Sequence, residues 1–329
     1  MTTLTSSASP TDFADNDVPL NLLTKPNGPD RIFNGILAGS SGLVLALLAA
    51  TVVFLCYYGF DAFRHAGFGL FTDLTWSPDT GQFGMLPLLV GSVMIAIIGV
   101  AIATPVSLST ALMINEYAPS RLRPLLTAVI DMLATVPSIV YGFWGLILIS
   151  PAQAAPARWL AQHLGFVPLL RTPSPGFYIK SIFACGLICA VTIIPIITSI
   201  SREVMAQAPR DVCEAALGLG GTRWGMVTDV ILPFSRNGIL GAILLGIGRG
   251  LGETMIVVLV LSQANHLTPD ILGPNGLGSI AKEITDNFVV SSVITKSGLI
   301  LLGLILFMTT LAVNVVARLI VQRTGQVSR

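Results

Sequence analysis

The sequence predicts an all-α, polytopic membrane protein with six transmembrane helices. Its 329 residues have a mean hydropathy of +0.80, and only 11% of them are charged, whereas a soluble domain carries about 25% charged residues. A net charge of +1 argues against a nucleic-acid-binding protein, which needs a basic surplus. Crossing a bilayer takes about 20 apolar residues, and the chain has six runs of that length. They are 33–60, 85–114, 125–150, 178–200, 239–261 and 293–320.

The two ends of the chain are predicted to be tails outside the membrane domain. Residues 1–32 are rich in Ser, Thr, Asp and Pro and lack an early cationic region before an apolar core, so they indicate a disordered cytoplasmic tail rather than a signal peptide. The six-helix domain is then 33–320, and 321–329 form a C-terminal cytoplasmic tail. Within the domain, Pro105 and Pro137 are expected to kink their helices.

The distribution of Lys and Arg predicts the orientation. With the N-terminus inside, eleven of the eighteen Lys and Arg fall on the cytoplasmic side and six outside, which agrees with the positive-inside rule. This predicts a multi-pass protein of the bacterial cytoplasmic membrane, in contact with lipid and with both termini in the cytoplasm. The extracytoplasmic segments are expected to be structured loops, with Trp76 and Trp159 anchored among the headgroups.

A few isolated side chains allow predictions about local structure. Cys185 and Cys189 are one turn apart in an apolar run without a neighbouring His, so they are read as buried small residues and not as metal ligands. Asp131 is expected to make a structural hydrogen bond. Glu116 belongs either to an interfacial polar cluster or to a coupling element. No disulfide, metal site or catalytic residue is predicted.

A polar stretch between the fourth and fifth runs interrupts the apolar sequence. Pro209 can open a short helix, because its missing N–H costs nothing in the first turn. Gly220 and Gly221 can close that helix with a left-handed cap. Thr222 can cap a second short helix, which Pro233 is predicted to end. The stretch should therefore form a helix–turn–helix knob between two membrane segments.

This knob resembles the EAA loop of ABC importer permeases. The matching residues are Glu214, Ala215, Ala216, Gly220, Leu232 and Pro233, whereas Val230 stands where the family has Ile. The resemblance implies a type I ABC importer permease (MetI-like) fold. It also implies that residues 201–236 form a coupling loop that docks on a cytoplasmic ATPase.

The fifth run carries two charges inside the membrane. Arg249 lies near its middle, where Arg costs at least ~2.5–3.5 kcal/mol. Glu253 is one helical turn later, so an ion pair between positions i and i+4 is predicted. The pair is either part of a substrate pathway or a structural element of the bundle. Small residues in the same run are expected to allow close helix contacts; they are paired as Gly246 with Gly250 and Gly248 with Gly252.

Arg249, Glu253 and Thr254 form an Arg-x-x-Gly-Glu-Thr pattern that resembles the phosphate importer permeases. Residues 75–87 and 135–142 are closer to the PstC type than to the PstA type of that family. The resemblance implies that these three residues line a pathway for inorganic phosphate. It also implies a PstA-like second permease subunit, two PstB-like ATPase subunits and a PstS-like phosphate-binding protein as partners.

The chain is predicted not to be an enzyme. None of its four lysines completes a P-loop, which needs Gly-Lys followed by Ser or Thr, so no cofactor is expected and ATP should bind to a partner subunit. A permease for sulfate or molybdate is the nearest alternative function. An ion-coupled secondary carrier and an intramembrane enzyme are further alternatives; the three His residues, all in predicted extracytoplasmic loops, argue against the enzyme.

Overall fold

The computed structural model describes residues 28–67, 69–78, 82–171, 178, 180–262, 270–273, 277–289 and 291–326. The chain divides into two compact units, Met1–Val52 and Val53–Arg329. The described part of the first unit is entirely helical, and every other element belongs to the second. Most of the predicted N-terminal tail lies outside the described residues, as do the last three residues of the C-terminal tail.

The elements confirm the all-α class, with one two-stranded antiparallel hairpin. The helices before the predicted coupling loop are α1 (Gly28–Ala66), α2 (Gly69–Thr72), α3 (Leu86–Leu112), α4 (Arg123–Thr135), α5 (Ser138–Trp144), α6 (Ser150–Ala152), α7 (Ala154–His163) and α8 (Ile182–Ala206). Those that follow are α9 (Arg210–Gly218), α10 (Arg223–Met226), α11 (Leu232–Gly252), α12 (Met255–Val260), α13 (Ile280–Asn287) and α14 (Val293–Gln326). The strands are β1 (Trp76–Ser77) and β2 (Gln82–Phe83).

Five helical segments among the described residues are long and apolar enough to cross a membrane. They are Gly28–Ala66, Leu86–Tyr117, Ile182–Ala206, Arg223–Gly252 and Val293–Leu319. The third predicted run, 125–150, is not one helix, because α4 and Ser138–Ile149 meet at an angle of 90°. Val136 and Pro137 separate them in extended conformations, as expected for a residue before proline. Pro105, by contrast, lies inside α3 without interrupting it.

The helix ends differ from the predicted boundaries. Helix α1 begins at Gly28 rather than at Phe33, with Asp30 in its first turn. A carboxylate at this end interacts favourably with the helix dipole. Helix α14 continues to Gln326, past the predicted start of the C-terminal tail at residue 321. Residues 28–32 are therefore helical rather than disordered, and residues 321–326 of the predicted C-terminal tail continue helix α14.

Helices α3, α8 and α11 pack together to form the main core. Side chains from α8 fill its centre, including Ile188, Ile193 and Ile197, which are fully buried. Cys185 and Cys189 are also fully buried here, which confirms their prediction as small core residues. Close approach depends on glycine, since a Cβ on Gly186 would lie 2.5 Å from Ile98 of α3.

The loop between α1 and α3 is packed and hydrogen-bonded. Trp76 is 1% exposed, so its prediction as a headgroup anchor is wrong. Its indole N–H donates to the Glu283 carboxylate of α13 at 2.8 Å, and its ring meets Phe83 edge to face at 5.8 Å. The indole is buried because its one polar atom has a partner inside the protein. Trp159, however, is 56% exposed on α7.

Candidate functional site: a charged cavity and a coupling loop

The candidate pathway lies where helix α11 ends. Glu253 has an extended backbone (φ −70°, ψ 115°), and α12 begins two residues later at Met255. Thr254 donates its hydroxyl to the carbonyl of Gly252 at 3.2 Å, which satisfies one of the carbonyls left free at the helix end. The fifth predicted run is thus a broken helix, a form that lines substrate sites in many transporters.

A cavity of about 420 Å³ opens at this break. All three predicted pathway residues, Arg249, Glu253 and Thr254, line it together with Gly248, Gly252, Met255 and Ser138. Ser138 was not predicted from the sequence. It enters the site because the bend after Pro137 places the start of α5 beside the end of α11. The Pro137-Ser138 break was the signal that could have identified it.

The two charges of this cavity do not form the predicted pair. Arg249 and Glu253 make no ion pair with each other in the part of the chain that the structure describes. The reason is local: the helical turn that would bring position i+4 beneath position i ends at Gly252. Glu253 is only 7% exposed, and the Nε of Arg249 is buried without a hydrogen-bond partner. Buried charges are costly unless they are paired, so this cavity favours a ligand that offers acceptors to Arg249.

Two glycines of α11 contact neighbouring helices, and two others line the cavity. Gly250 lies against Ala96 of α3, where a Cβ would be 3.2 Å from the Ala96 Cα, and Gly246 lies against Ile197 of α8. This confirms one of the two predicted close-packing pairs. Gly248 and Gly252 have nothing within 4 Å of a Cβ and instead line the cavity. They leave space beside Arg249 rather than close a helix contact.

The predicted cap of the coupling loop is confirmed as a Schellman motif. Gly220 has φ +89°, and its N–H donates to the carbonyl oxygen of Leu217 at 3.0 Å. The N–H of Gly221 donates to the carbonyl oxygen of Ala216 at 3.1 Å. These two bonds define the motif. A Cβ on Gly221 would lie 2.5 Å from the Ala216 carbonyl oxygen, which is a steric clash. A Cβ on Gly220 would contact no atom within 4 Å, but its left-handed backbone is unfavourable for any residue with a side chain. Both positions therefore require glycine, for different reasons.

The outer face of the coupling loop is apolar and exposed. Leu219 is 90% exposed and Trp224 is 62% exposed, with Val212 and Leu217 beside them in the same loop. Glu214 and Ala215 are exposed as well. Exposed apolar groups rimmed by polar residues are typical of protein–protein contact surfaces. This surface includes most of the EAA-like motif.

Polar contacts hold the base of the coupling loop to the membrane helices. Asn115, in the π-helical turn after α3 (Met113–Tyr117), donates to the carbonyl of Arg202 at 2.7 Å. Arg202 in turn donates to Thr127 of α4 at 3.3 Å. Asp131 of α4 accepts from Ser199 of α8 at 2.8 Å, which confirms its structural hydrogen bond. A displacement of the loop base would therefore act on α4 as well as on α8.

A polar cavity of about 360 Å³ lies next to these contacts. Glu116 and Cys213 both line it, which places the turn after α3 against the coupling helix α9. Burial raises the pKa of the Cys213 thiol, and the nearby carboxylates of Glu116 and Glu214 raise it further. Glu116 is thus part of the contact with the coupling helix.

The helix that follows Thr222 does not end at Pro233. Thr222 caps α10 as predicted, accepting from the N–H of Gly225 at 3.1 Å, but the chain stays helical from Arg223 to Gly252. A π-helical turn, Val227–Ile231, precedes Pro233, which then falls in the first turn of α11. Because the helix is continuous here, the missing N–H of Pro233 falls inside it, directly after the π-helical turn in which the hydrogen-bond pattern already changes. Twenty-six residues at 1.5 Å rise place Arg249 about 39 Å from Arg223 along one continuous helix.

The bundle, the broken helix and the exposed loop together have the form of a polytopic transporter permease subunit. Residues 103–326 match the sequence model of the binding-protein-dependent transport system inner membrane components. The chain belongs to this family, and it is a multi-pass inner-membrane protein of an importer whose ATPase is a separate subunit.

Several relatives that this chain matches over most of its length are permease proteins of phosphate transport systems. The phosphate transport system permease protein PstC of Xylella fastidiosa is 35% identical over 300 residues, covering 90% of this chain and 92% of the relative. The PstC protein of Pasteurella multocida is 37% identical and covers 85% and 88%. PstC 2 of Mycobacterium tuberculosis is 35% identical and covers 86% and 88%.

A solved structure of lower similarity is the MetNI methionine ABC transporter in an inward-facing conformation. One chain of that structure matches this protein with a TM-score of 0.46 and 15% identity. The match covers 71% of this chain and 93% of the MetNI chain.

Proposed function

We propose that this chain is the PstC-type permease subunit of an ATP-driven importer for inorganic phosphate. The relatives with 35–37% identity over 85–90% of the chain are phosphate transport permeases, and this similarity carries the proposal. The charged cavity at the end of α11 supplies chemistry that suits a phosphate ion. The chain forms one half of the pathway, and a PstA-like subunit forms the other.

Arg249 is the group that attracts phosphate into the low-dielectric part of the pathway. A guanidinium never loses its proton and offers a planar fork of donors that matches two phosphate oxygens. Ser138 lines the same cavity, and its hydroxyl adds a donor, whereas the hydroxyl of Thr254 already donates to the carbonyl of Gly252. Among the described residues the Arg249 side chain has no hydrogen-bond or ion-pair partner, so its donors are not committed to other groups of the protein.

Glu253 limits how tightly the ion is held. Its carboxylate lines the same cavity, and two like charges in a low-dielectric site repel each other strongly. A transport site must release its ion as well as bind it. Repulsion from Glu253 favours release, while its opposite charge stabilises Arg249 when the cavity is empty.

The coupling loop transmits ATPase movement to this cavity. The exposed surface around Leu219 and Trp224 docks on one of two PstB-like ATPase subunits, which bind the ATP; the permease itself carries no cofactor. Because Arg223 and Arg249 share one continuous helix, a displacement of the loop moves the wall of the cavity directly. A PstS-like protein delivers phosphate on the opposite side, and both termini lie in the cytoplasm.

Transport in proteoliposomes tests this function. The chain is assembled with its second permease and ATPase subunits, and ATP-dependent uptake of radiolabelled phosphate is compared with that of sulfate. We expect phosphate uptake that excess unlabelled phosphate abolishes and excess sulfate does not. Preferential uptake of sulfate would replace the phosphate assignment with another oxyanion. ATP-independent uptake by the chain alone would indicate a secondary carrier.

A further inference from the structure

A second cavity, separate from the charged cavity, lies at the coupling-loop end of the bundle. Its volume is about 550 Å³, and α8, α11 and α14 form its walls. The two cavities share no lining residue. On α11 its first residue, Asn237, is twelve positions before Arg249, a separation of about 18 Å along the helix. The two cavities are therefore separate sites.

The polar residues of this cavity lie at its membrane edge. Arg318 is one position before the end of the span Val293–Leu319, and Asn314 is one turn further in on the same face of α14. Asn237 faces the cavity from the start of α11. Among the described residues, these three side chains have no hydrogen-bond or ion-pair partner. They present one cation and two amides, and no carboxylate lines the cavity.

The apolar residues of the cavity lie deeper in the membrane. Along α11, Asn237 is followed by Gly241, Leu244 and Leu245, which run toward the bilayer centre. On α8, Ile200 is one turn further from the coupling-loop end of the helix than Val204, and both line the cavity. Apolar walls favour a hydrocarbon chain, whereas a hydrated ion gains nothing from them. A cationic edge and an apolar interior are complementary to the anionic headgroup and the acyl chain of a phospholipid.

We propose that this cavity binds an anionic phospholipid of the leaflet on the coupling-loop side. Arg318, Asn237 and Asn314 hold the headgroup phosphate, and the apolar walls along α11 hold the first part of an acyl chain. Basic pockets between transmembrane helices bind anionic headgroups in this way. Because α11 also carries Arg249 and continues into α10, the bound lipid supports the helix that connects the coupling loop with the pathway.

Lipid retention by the assembled, purified transporter tests the proposal. The complex is incubated with phosphatidylglycerol or phosphatidylcholine, and bound lipid is counted by native mass spectrometry. Arg318→Gln should lower bound phosphatidylglycerol about fivefold. Arg121→Gln, which removes an exposed arginine outside the cavity, should leave it unchanged. Gly241→Leu should exclude both lipids, since no atom lies within 4 Å of an added Cβ and the side chain can occupy the cavity.

The possible outcomes separate the lipid from a free anion. Equal phosphatidylglycerol on Arg318→Gln and the unaltered transporter would overturn the proposal, as would full occupancy with Gly241→Leu. Displacement of the lipid by inorganic phosphate, without displacement by an equal concentration of chloride, would show that the cavity takes the free ion instead. If Arg318→Gln does not assemble, the Gly241→Leu result alone decides.

Discussion

Arg249 and Glu253 line the same cavity but belong to different backbone segments, because helix α11 ends at Gly252 between them. A continuous helix would have allowed the two charges to satisfy each other. The break instead leaves the Arg249 Nε buried without a partner and keeps a carboxylate close by. This arrangement suits an ion that binds briefly and then leaves.

Gly220→Ala should weaken ATPase docking. The left-handed backbone at Gly220 (φ +89°) costs a side-chain-bearing residue about 1–2 kcal/mol, so the loop loses its shape while the bundle still inserts. We expect ATPase affinity to fall about tenfold, measured by co-purification. Gly218→Ala is the matched control, because Gly218 is helical and has open space around it. Equal ATPase binding by both variants would show that the cap does not shape the docking surface.

Trp76→Phe should destabilise the transporter by about 1–3 kcal/mol. The substitution keeps an aromatic side chain but loses the donor to the buried Glu283 and part of the buried indole volume; Asn287 still donates to the same oxygen at 2.7 Å. A thermal shift assay on the purified complex measures the loss as a lower Tm. The control is Trp159→Phe on the exposed face of α7, which should leave Tm unchanged. A similar drop for both would show that the hydrogen bond is not the cause.

Glu116→Gln should make Cys213 more reactive. Burial and the carboxylates of Glu116 and Glu214 hold the pKa of this thiol above its ordinary value, so removing one negative charge lowers the pKa and increases the thiolate at mildly alkaline pH. Alkylation at about pH 8 should therefore be faster than in the parent protein. Both proteins carry Cys56→Ser, because Cys56 is exposed. Asp211→Asn is the control, and an equal increase there would contradict the contact between Glu116 and α9.

Cysteine labelling in intact cells tests the orientation. A cysteine at Gln162, exposed on α7, should react with an impermeant thiol reagent, whereas one at Asp211, exposed on α9, should not. Both are introduced with Cys56 and Cys213 replaced by serine. Labelling of position 211 but not 162 would reverse the proposed topology and place the coupling loop outside.

Much of this architecture was predictable because membrane spans leave a strong compositional signal. Apolar runs located the spans, and Gly220 with its neighbours located the cap, since only glycine readily adopts a left-handed backbone. Helix ends inside apolar runs were not predictable, because hydropathy does not distinguish a continuous helix from a broken one. The end at Gly252 and the continuation through Pro233 are the two main examples.

Long-range contacts were also outside what the sequence could show. Trp76 and Glu283 are far apart in the chain, and a tryptophan in a loop next to a membrane span is more often interfacial. Ser138 joins the cavity only because the chain bends by 90° before it. Both depend on tertiary packing, whereas Arg249 and Glu253 were identifiable locally by their charge within an apolar run, and Thr254 by the family pattern that the three residues share.

Phosphate uptake by Arg249→Gln, in proteoliposomes that contain the fully assembled transporter, tests the central claim most directly. The substitution keeps much of the side chain's length but removes its charge, and Arg249→Lys restores the charge without the planar fork. We predict that Arg249→Gln loses ATP-dependent phosphate uptake while assembly and ATPase association stay near normal, and that Arg249→Lys retains a fraction of the uptake. Normal phosphate uptake by Arg249→Gln would contradict the assignment of this cavity to the pathway. Loss of assembly that the added Glu253→Gln substitution restores, together with transport, would assign the two residues a structural role instead.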